Sequence, residues 1–188
     1  MYVLVKLLRF SYVLLFVLLI GCSPLAKYDD NEPAAIVKGE KITVGELRLL
    51  FPDDQALGYL DWLIKAELVK QEVIKMEIDV SDQIEETSND WFATLPPADT
   101  TDEGGKQIRK FAEQQAKKLS MSPEEFQKAY AENIIKRNVY VSTYIEEMLG
   151  ESYSLNDTAA VEQFGAAADE LIEQLYEKNK DKIKVLID

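Results

Sequence analysis

Histidine is absent from the 188 residues, and cysteine occurs once, as Cys22. Without histidine there is no Ser-His-Asp or Cys-His nucleophile system and no His-ligated metal site. A single thiol cannot close an internal disulfide, so stability has to come from packing. Positive charge is also scarce, with 21 Lys and Arg against 34 Asp and Glu, a net charge of −13. Each contact to a nucleic-acid phosphate normally uses a Lys or Arg, so nucleic acid is not an expected partner. Long-range attraction favours basic polypeptides or bound cations instead, and the plainer use of such a surface is solubility. Long apolar runs are missing as well, apart from Phe10 to Ile20 near the N-terminus. That run is shorter than the roughly 20 residues a membrane-spanning helix needs.

The remainder reads as a folded chain: 47% apolar residues and nine tyrosines are more than a disordered polymer carries. At the start, Lys6 and Arg9 precede the apolar run, and small Gly21 and then Cys22 follow it. A basic start, a short apolar stretch and a small exit residue are the pattern of a secretory signal. Leu19-Ile20-Gly21-Cys22 resembles the bacterial lipobox. The resemblance implies cleavage between Gly21 and Cys22 and acylation of the Cys22 sulfur. Lys6 and Arg9 are the only charged residues in that segment, so its removal would leave a net charge of −15. Several acyl chains anchor stably where a single chain is marginal. The competing reading is an uncleaved signal anchor in which Cys22 is incidental. The expected organisation is a signal peptide over 1–21, a polar lipidated tether over 22–33 and one helical domain over 34–188. The expected location is the extracytoplasmic face of a cell membrane.

Along the mature chain, Ala34 to Val37 reads as a strand and Lys38-Gly39-Glu40 as a turn before Lys41-Ile42. Thr43-Val44-Gly45-Glu46 matches a capping box opening a brief helix that Pro52 closes. A long central helix is expected from Asp54 to Met76, with Leu57, Leu60, Ile64 and Leu68 on one ridge. Trp62, Val69, Val73 and Met76 form a second ridge, so Trp62 is expected in the core. Ser81 caps a third helix reaching Phe92, and Leu95 to Gly105 reads as a loop. A fourth helix carries Ile108 to Leu119. Ser122-Pro123-Glu124-Glu125 is a strong helix start, and helical spacing then persists to Gly150. After a polar break at Ser152 to Asp157, Val161 to Leu175 is helical, and Ile183 to Ile187 is a terminal strand. The fold class is therefore mainly α, an irregular multi-helix domain. A two-stranded β ribbon closes it, joining the mature N- and C-terminal segments.

The stretch Ile36-Val37-Lys38-Gly39-Glu40-Lys41-Ile42-Thr43 resembles the opening of the SurA/PrsA-type N-terminal chaperone domain. Leu63 to Glu72, with Ile78-Asp79-Val80-Ser81 as its exit, is similar to the next part of that family. Ser122 to Phe126 with Tyr130, and Tyr176 to Lys180 with Ile183 to Ile187, resemble its later and closing elements. The resemblance implies a helical body that clasps unfolded or newly exported polypeptides. Many members carry a parvulin-type prolyl isomerase domain built around histidines. This chain has neither the length nor a histidine for it, so isomerase activity is not carried over and no cofactor is implied.

Candidate contact residues are few. Trp91 and Phe92 lie at a helix end beside Pro96-Pro97, where exposed aromatics would suit a client chain. Tyr140 and Tyr144 are one turn apart, each an apolar ring with a polar tip, and suit core-edge packing better than a platform. Adjacent carboxylates such as Glu85-Glu86 and Glu146-Glu147 diverge on a helix, so they read as solvated faces and not as a catalytic or metal pair. Gly104-Gly105-Lys106 lacks the earlier Gly and the Ser or Thr of a P-loop. The expected function is non-catalytic binding of exported polypeptides at a membrane. The alternatives are a module docking on one membrane complex and a degenerate isomerase homologue.

Overall fold

A computed structural model of the chain describes residues 24–88, 94–150 and 158–188. Two features at Lys38-Gly39 fold the first strands together. Both residues have positive φ (51° and 97°), the geometry that matches the twist of a two-residue hairpin. Strand β1 (Pro33–Val37) therefore turns directly into β2 (Glu40–Thr43), pairing antiparallel with Val37 opposite Glu40. On the other side of β1 lies β3 (Ile183–Val185), also antiparallel, with Ile36 opposite Lys184. The expected closure of N- to C-terminal segments is present, but the sheet has three strands in the order β2-β1-β3. The expected two-stranded ribbon is corrected on that point, because the tight turn returns Lys41-Ile42 to the edge of β1. The terminal strand also stops earlier, at Val185, although the Leu186 N–H still donates to the Ala34 carbonyl.

Among the described residues there are six α-helices, so the fold is mainly α. Helix α1 (Val44–Leu50) opens with the capping box the sequence announces. Thr43 Oγ1 accepts from the Glu46 N–H at 3.2 Å, and the Thr43 N–H donates to Glu46 Oε2 at 2.8 Å. It stops at Phe51, whose extended ψ of 151° is what a residue preceding proline adopts. The expected helix from Asp54 is shorter. A 3₁₀ turn (Ala56–Tyr59) leads into α2 (Leu60–Lys75), which buries Leu60, Leu63, Ile64, Ala66, Leu68, Val69 and Val73. Trp62 and Met76, expected inside, are 38% and 39% exposed. Trp62 shares a stripe with Val69 and Val73, but at its end of α2 that stripe opens into a groove and is not covered.

Helix α3 (Ser81–Ser88) follows a buried Val80, and its expected extension to Phe92 lies outside the described residues. Helix α4 (Glu103–Leu119) begins inside the expected loop: Asp102 accepts from the Gly105 N–H and caps the first turn despite two glycines. A Cβ on Gly105 would stand 3.0 Å from Thr100 Oγ1, which accounts for one of them. Helix α5 (Pro123–Leu149) carries the second capping box, Ser122 with Glu125, and Pro123 in its first turn. Helix α6 (Thr158–Asn179) ends in a 3₁₀ turn (Lys180–Lys182) leading to β3. The expected break at Ser152 to Asp157 lies outside the described residues.

The main core surrounds α2, against which α5, α6 and β1 pack. A second cluster joins α4 to α5 through Ala112, Ala116 and Phe126. There Phe111, Phe126 and Tyr130 form a ring triad with centroids 5.5 to 5.7 Å apart. Tyr130 packs on both clusters, so the two are continuous.

The segment expected as a polar tether is docked from residue 24 onward. Pro24–Lys27 forms a 3₁₀ turn, and Leu25 is fully buried. Arg48 donates to the Leu25 and Tyr28 carbonyls at 2.7 and 3.1 Å and pairs with Asp30. The Val44 and Gly45 N–H groups donate to the Glu32 and Asp30 carbonyls. At the far end of the chain, Asp188 meets Lys27 at 2.8 Å and the Tyr28 hydroxyl at 2.9 Å. A tether needs solvated backbone. Here backbone groups and one apolar side chain are taken up by the body.

Candidate functional site

Helices α2, α5 and α6 leave a groove of about 500 Å³ between them. Its opening follows from residue size. Where α2 and α6 face each other they present Ala66 and Ala168, both nearly buried, and methyl groups leave space that longer side chains would fill. Val69 of α2, Val141 and Ile145 of α5 and Ile172 of α6 complete an apolar lining. Trp62 stands at the mouth, and an edge contact with Phe51 (centroids 6.2 Å apart, planes at 89°) holds its ring there. Phe51 in turn stacks on Tyr59 at 4.3 Å. This chain of rings fixes an exposed aromatic surface beside an apolar cleft.

Asp61, Asp169 and Glu173 form an acidic rim around one cation, Lys65. Lys65 Nζ lies 2.8 Å from both Asp61 Oδ2 and Glu173 Oε2, and 5.3 Å from the centre of the Tyr176 ring. Hydrogen bonds to the Asp61 and Glu173 carboxylates raise the Lys65 ammonium above its ordinary range, so it stays charged and engaged. Asp169 has no ion-pair partner among the described residues. The groove thus offers an apolar floor and an uncompensated negative edge. That arrangement suits an apolar segment carrying Lys or Arg.

A smaller space of about 120 Å³ adjoins the groove at Ala66 and is lined besides by Glu46, Glu67, Lys70, Asn133, Lys136, Arg137 and Tyr140. Its charges are largely spent on one another. Arg137 meets Glu46 at 3.0 Å, and Lys70 meets Glu67 at 2.9 Å. Burial lowers the Arg137 guanidinium while Glu46 opposes the shift. The arrangement braces α1 against α5. Among the described residues, no group of three His, Cys, Asp or Glu side chains gathers as a metal would require. Nor is any helix there long and apolar enough to cross a membrane.

Of the residues singled out in the sequence, Gly21, Cys22, Trp91 and Phe92 lie outside the described residues. Tyr140 is half-buried beside the polar space, packed on the main core. Tyr144 is 6% exposed and has no surface to offer a client, which corrects its place among the contact candidates. Neither lines the groove. Trp62 does, together with Asp169 and Glu173, which sequence reasoning did not single out. The available signal was the pair Asp61 and Lys65 flanking Trp62, since charges one turn apart mark the solvent side of a helix.

No family model, curated protein or solved structure matches the chain.

Proposed function

We propose that this chain is a lipid-anchored, extracytoplasmic, non-catalytic binder of exported or unfolded polypeptides. Cys22 would carry the anchor after loss of residues 1–21. The groove between α2, α5 and α6 would take apolar client segments, and its acidic rim would select those bearing Lys or Arg. The observation that carries the reading is Trp62, a large aromatic left 38% exposed at the mouth of an apolar, acid-rimmed cleft. Exposed apolar surface of this kind marks interaction sites. The basic start and lipobox-like Leu19 to Cys22 support the location, and the motif-level resemblance to SurA/PrsA-type chaperone domains supports the client class.

The test is light scattering of a denatured client protein diluted into the mature chain at several-fold excess. Aggregation is expected to fall, with no acceleration of prolyl isomerisation in a proline-peptide assay. Trp62→Ala should lose most of the protection and Asp169→Lys part of it, with circular dichroism unchanged. Unchanged scattering with the native chain would overturn the proposal. So would a pull-down returning one stoichiometric partner where a spread of unfolded proteins is expected.

A further inference from the structure

The docked N-terminal segment fixes which end of the molecule meets the membrane. Leu25 is fully buried and held through its carbonyl by Arg48. Only residues 23 and 24 separate it from Cys22, so covalent geometry keeps the two Cα atoms within about 11 Å. An acyl group on Cys22 would therefore pull the body itself down to the headgroups. The part beside Leu25 is the end of the β-sheet, because Lys27 and Tyr28 both bond Asp188, three residues past β3.

That end differs in chemistry from the rest of the chain. On the inner face of the sheet Ala35, Val37 and Ile42 are buried. Strand register puts Lys41, Ile36 and Lys184 in one row on the outer face, with both lysines exposed and Ile36 half-buried. Leu186, two residues beyond Lys184 and so on the same side, is 47% exposed. Residues 178–186 hold four lysines and one acid, Asp181, in a chain whose net charge is −13. Among the described residues, Lys178, Lys182 and Lys184 have no ion-pair partner.

We infer that the outer face of the sheet is a bilayer-contact face. Leu186 enters the headgroup region, and Lys41 and Lys184 meet the phosphates of anionic lipids beside the acylated Cys22. The inference rests on the lipoprotein reading above and deepens it, since it names the face of the body that the acyl anchor would hold against the lipid. Apolar insertion combined with Lys attraction to anionic headgroups is the ordinary physics of interfacial binding.

The experiment uses the full lipidated protein in phosphatidylglycerol-containing vesicles that include a nitroxide-bearing lipid. With the Cys22 sulfur alkylated, Leu186→Cys supplies a unique thiol for an environment-sensitive fluorophore. The matched control is Val161→Cys, a comparably exposed apolar site (41% against 47% at Leu186) near the start of α6, about 27 Å along that helix from Asn179. The Leu186 label should lose roughly half its emission to the nitroxide lipid while the Val161 label keeps its own. Adding Lys41→Glu and Lys184→Glu should restore much of the lost emission. Equal emission at the two sites, with acylation verified by mass, would overturn the contact face and leave the lipoprotein reading standing. Quenching that gives way to dependence on protein density would assign the face to a second copy and overturn it as well. A Cys22 without its acyl mass would sink both readings together.

Discussion

Glu77, just past the end of α2, sits at φ 60°, in the left-handed region where glycine is the usual occupant. Its N–H donates to the Ile74 carbonyl, and the Ile78 N–H reaches back to the Val73 carbonyl, so the conformation is imposed by closure of the helix. Glu77 is exposed, so Glu77→Gly removes the strain at no contact cost and should stabilise the protein by about 1 kcal/mol in urea unfolding. Glu72, one turn inside the same helix end, bonds Lys75 at 2.9 Å and Lys38 at 3.1 Å. The bond to Lys75 first, and then Lys38, holds its carboxyl below the ordinary value of 4.5. A carboxyl depressed on folding gives stability that is complete above its ordinary range and lost as pH falls through its folded value. Glu72→Gln should therefore cost stability at neutral pH and flatten the decline on the acid side below about pH 4.5, as read from urea midpoints across pH. Phe126, fully buried in the ring triad, is the opposite of Trp62. Phe126→Ala should cost about 3–5 kcal/mol, whereas Trp62→Ala, at a ring 38% exposed, should change client binding and lower the melting temperature by less than Phe126→Ala does.

At the level of elements, the docked segment 24–32 depends on one side chain more than on any other. Arg48, on α1 and mostly buried, donates to two of its carbonyls and pairs with Asp30 and, at 3.7 Å, with Asp53. Arg48→Ala would strand those carbonyls, and a buried acceptor left without a donor costs about 1–3 kcal/mol. The expected result is local release, seen as faster amide exchange at Tyr28, Glu32, Val44 and Gly45 while the α4–α5 cluster keeps its protection. Global loss of protection would instead show that the segment is part of the folding unit. The start of α4 makes a related point about legibility. Pro, Gly, Asp and Thr crowd the segment from Leu95 to Gly105, and every local cue reads as a loop. The Asp102 cap turns its last residues into helix, and it does not depend on hydrophobic spacing.

For the whole molecule, the acid-rimmed groove and the Lys-bearing sheet face separate two kinds of attraction within one strongly acidic chain. Screening at 1 M salt shortens the reach of both to about 3 Å. Client binding driven by the rim should then weaken, while the part driven by the apolar floor persists. Titrating salt in the scattering assay should give partial loss of protection, with Asp169→Lys already showing the high-salt behaviour at low salt. Complete insensitivity to salt would remove Asp61, Asp169 and Glu173 from the recognition argument.

Local signals in the sequence settled the starts of α1 and α5, because Thr43 with Glu46 and Ser122 with Glu125 complete their bonds within one turn. They also settled the meeting of the first and last strands, since two short apolar β segments at opposite ends need a common partner. Three matters were decided only by tertiary structure. The third strand needed a backbone turn with both φ angles positive, which Lys38 does not announce. The docking of Leu25 needed Arg48, more than twenty residues away, to satisfy its carbonyl. The exposure of Trp62 depended on what α5 and α6 leave uncovered beside Ala66 of α2 and Ala168 of α6. Periodicity records which side of a helix is apolar. Whether another helix covers that side at a given turn depends on the sizes of side chains on separate elements, and one helix's spacing does not contain them.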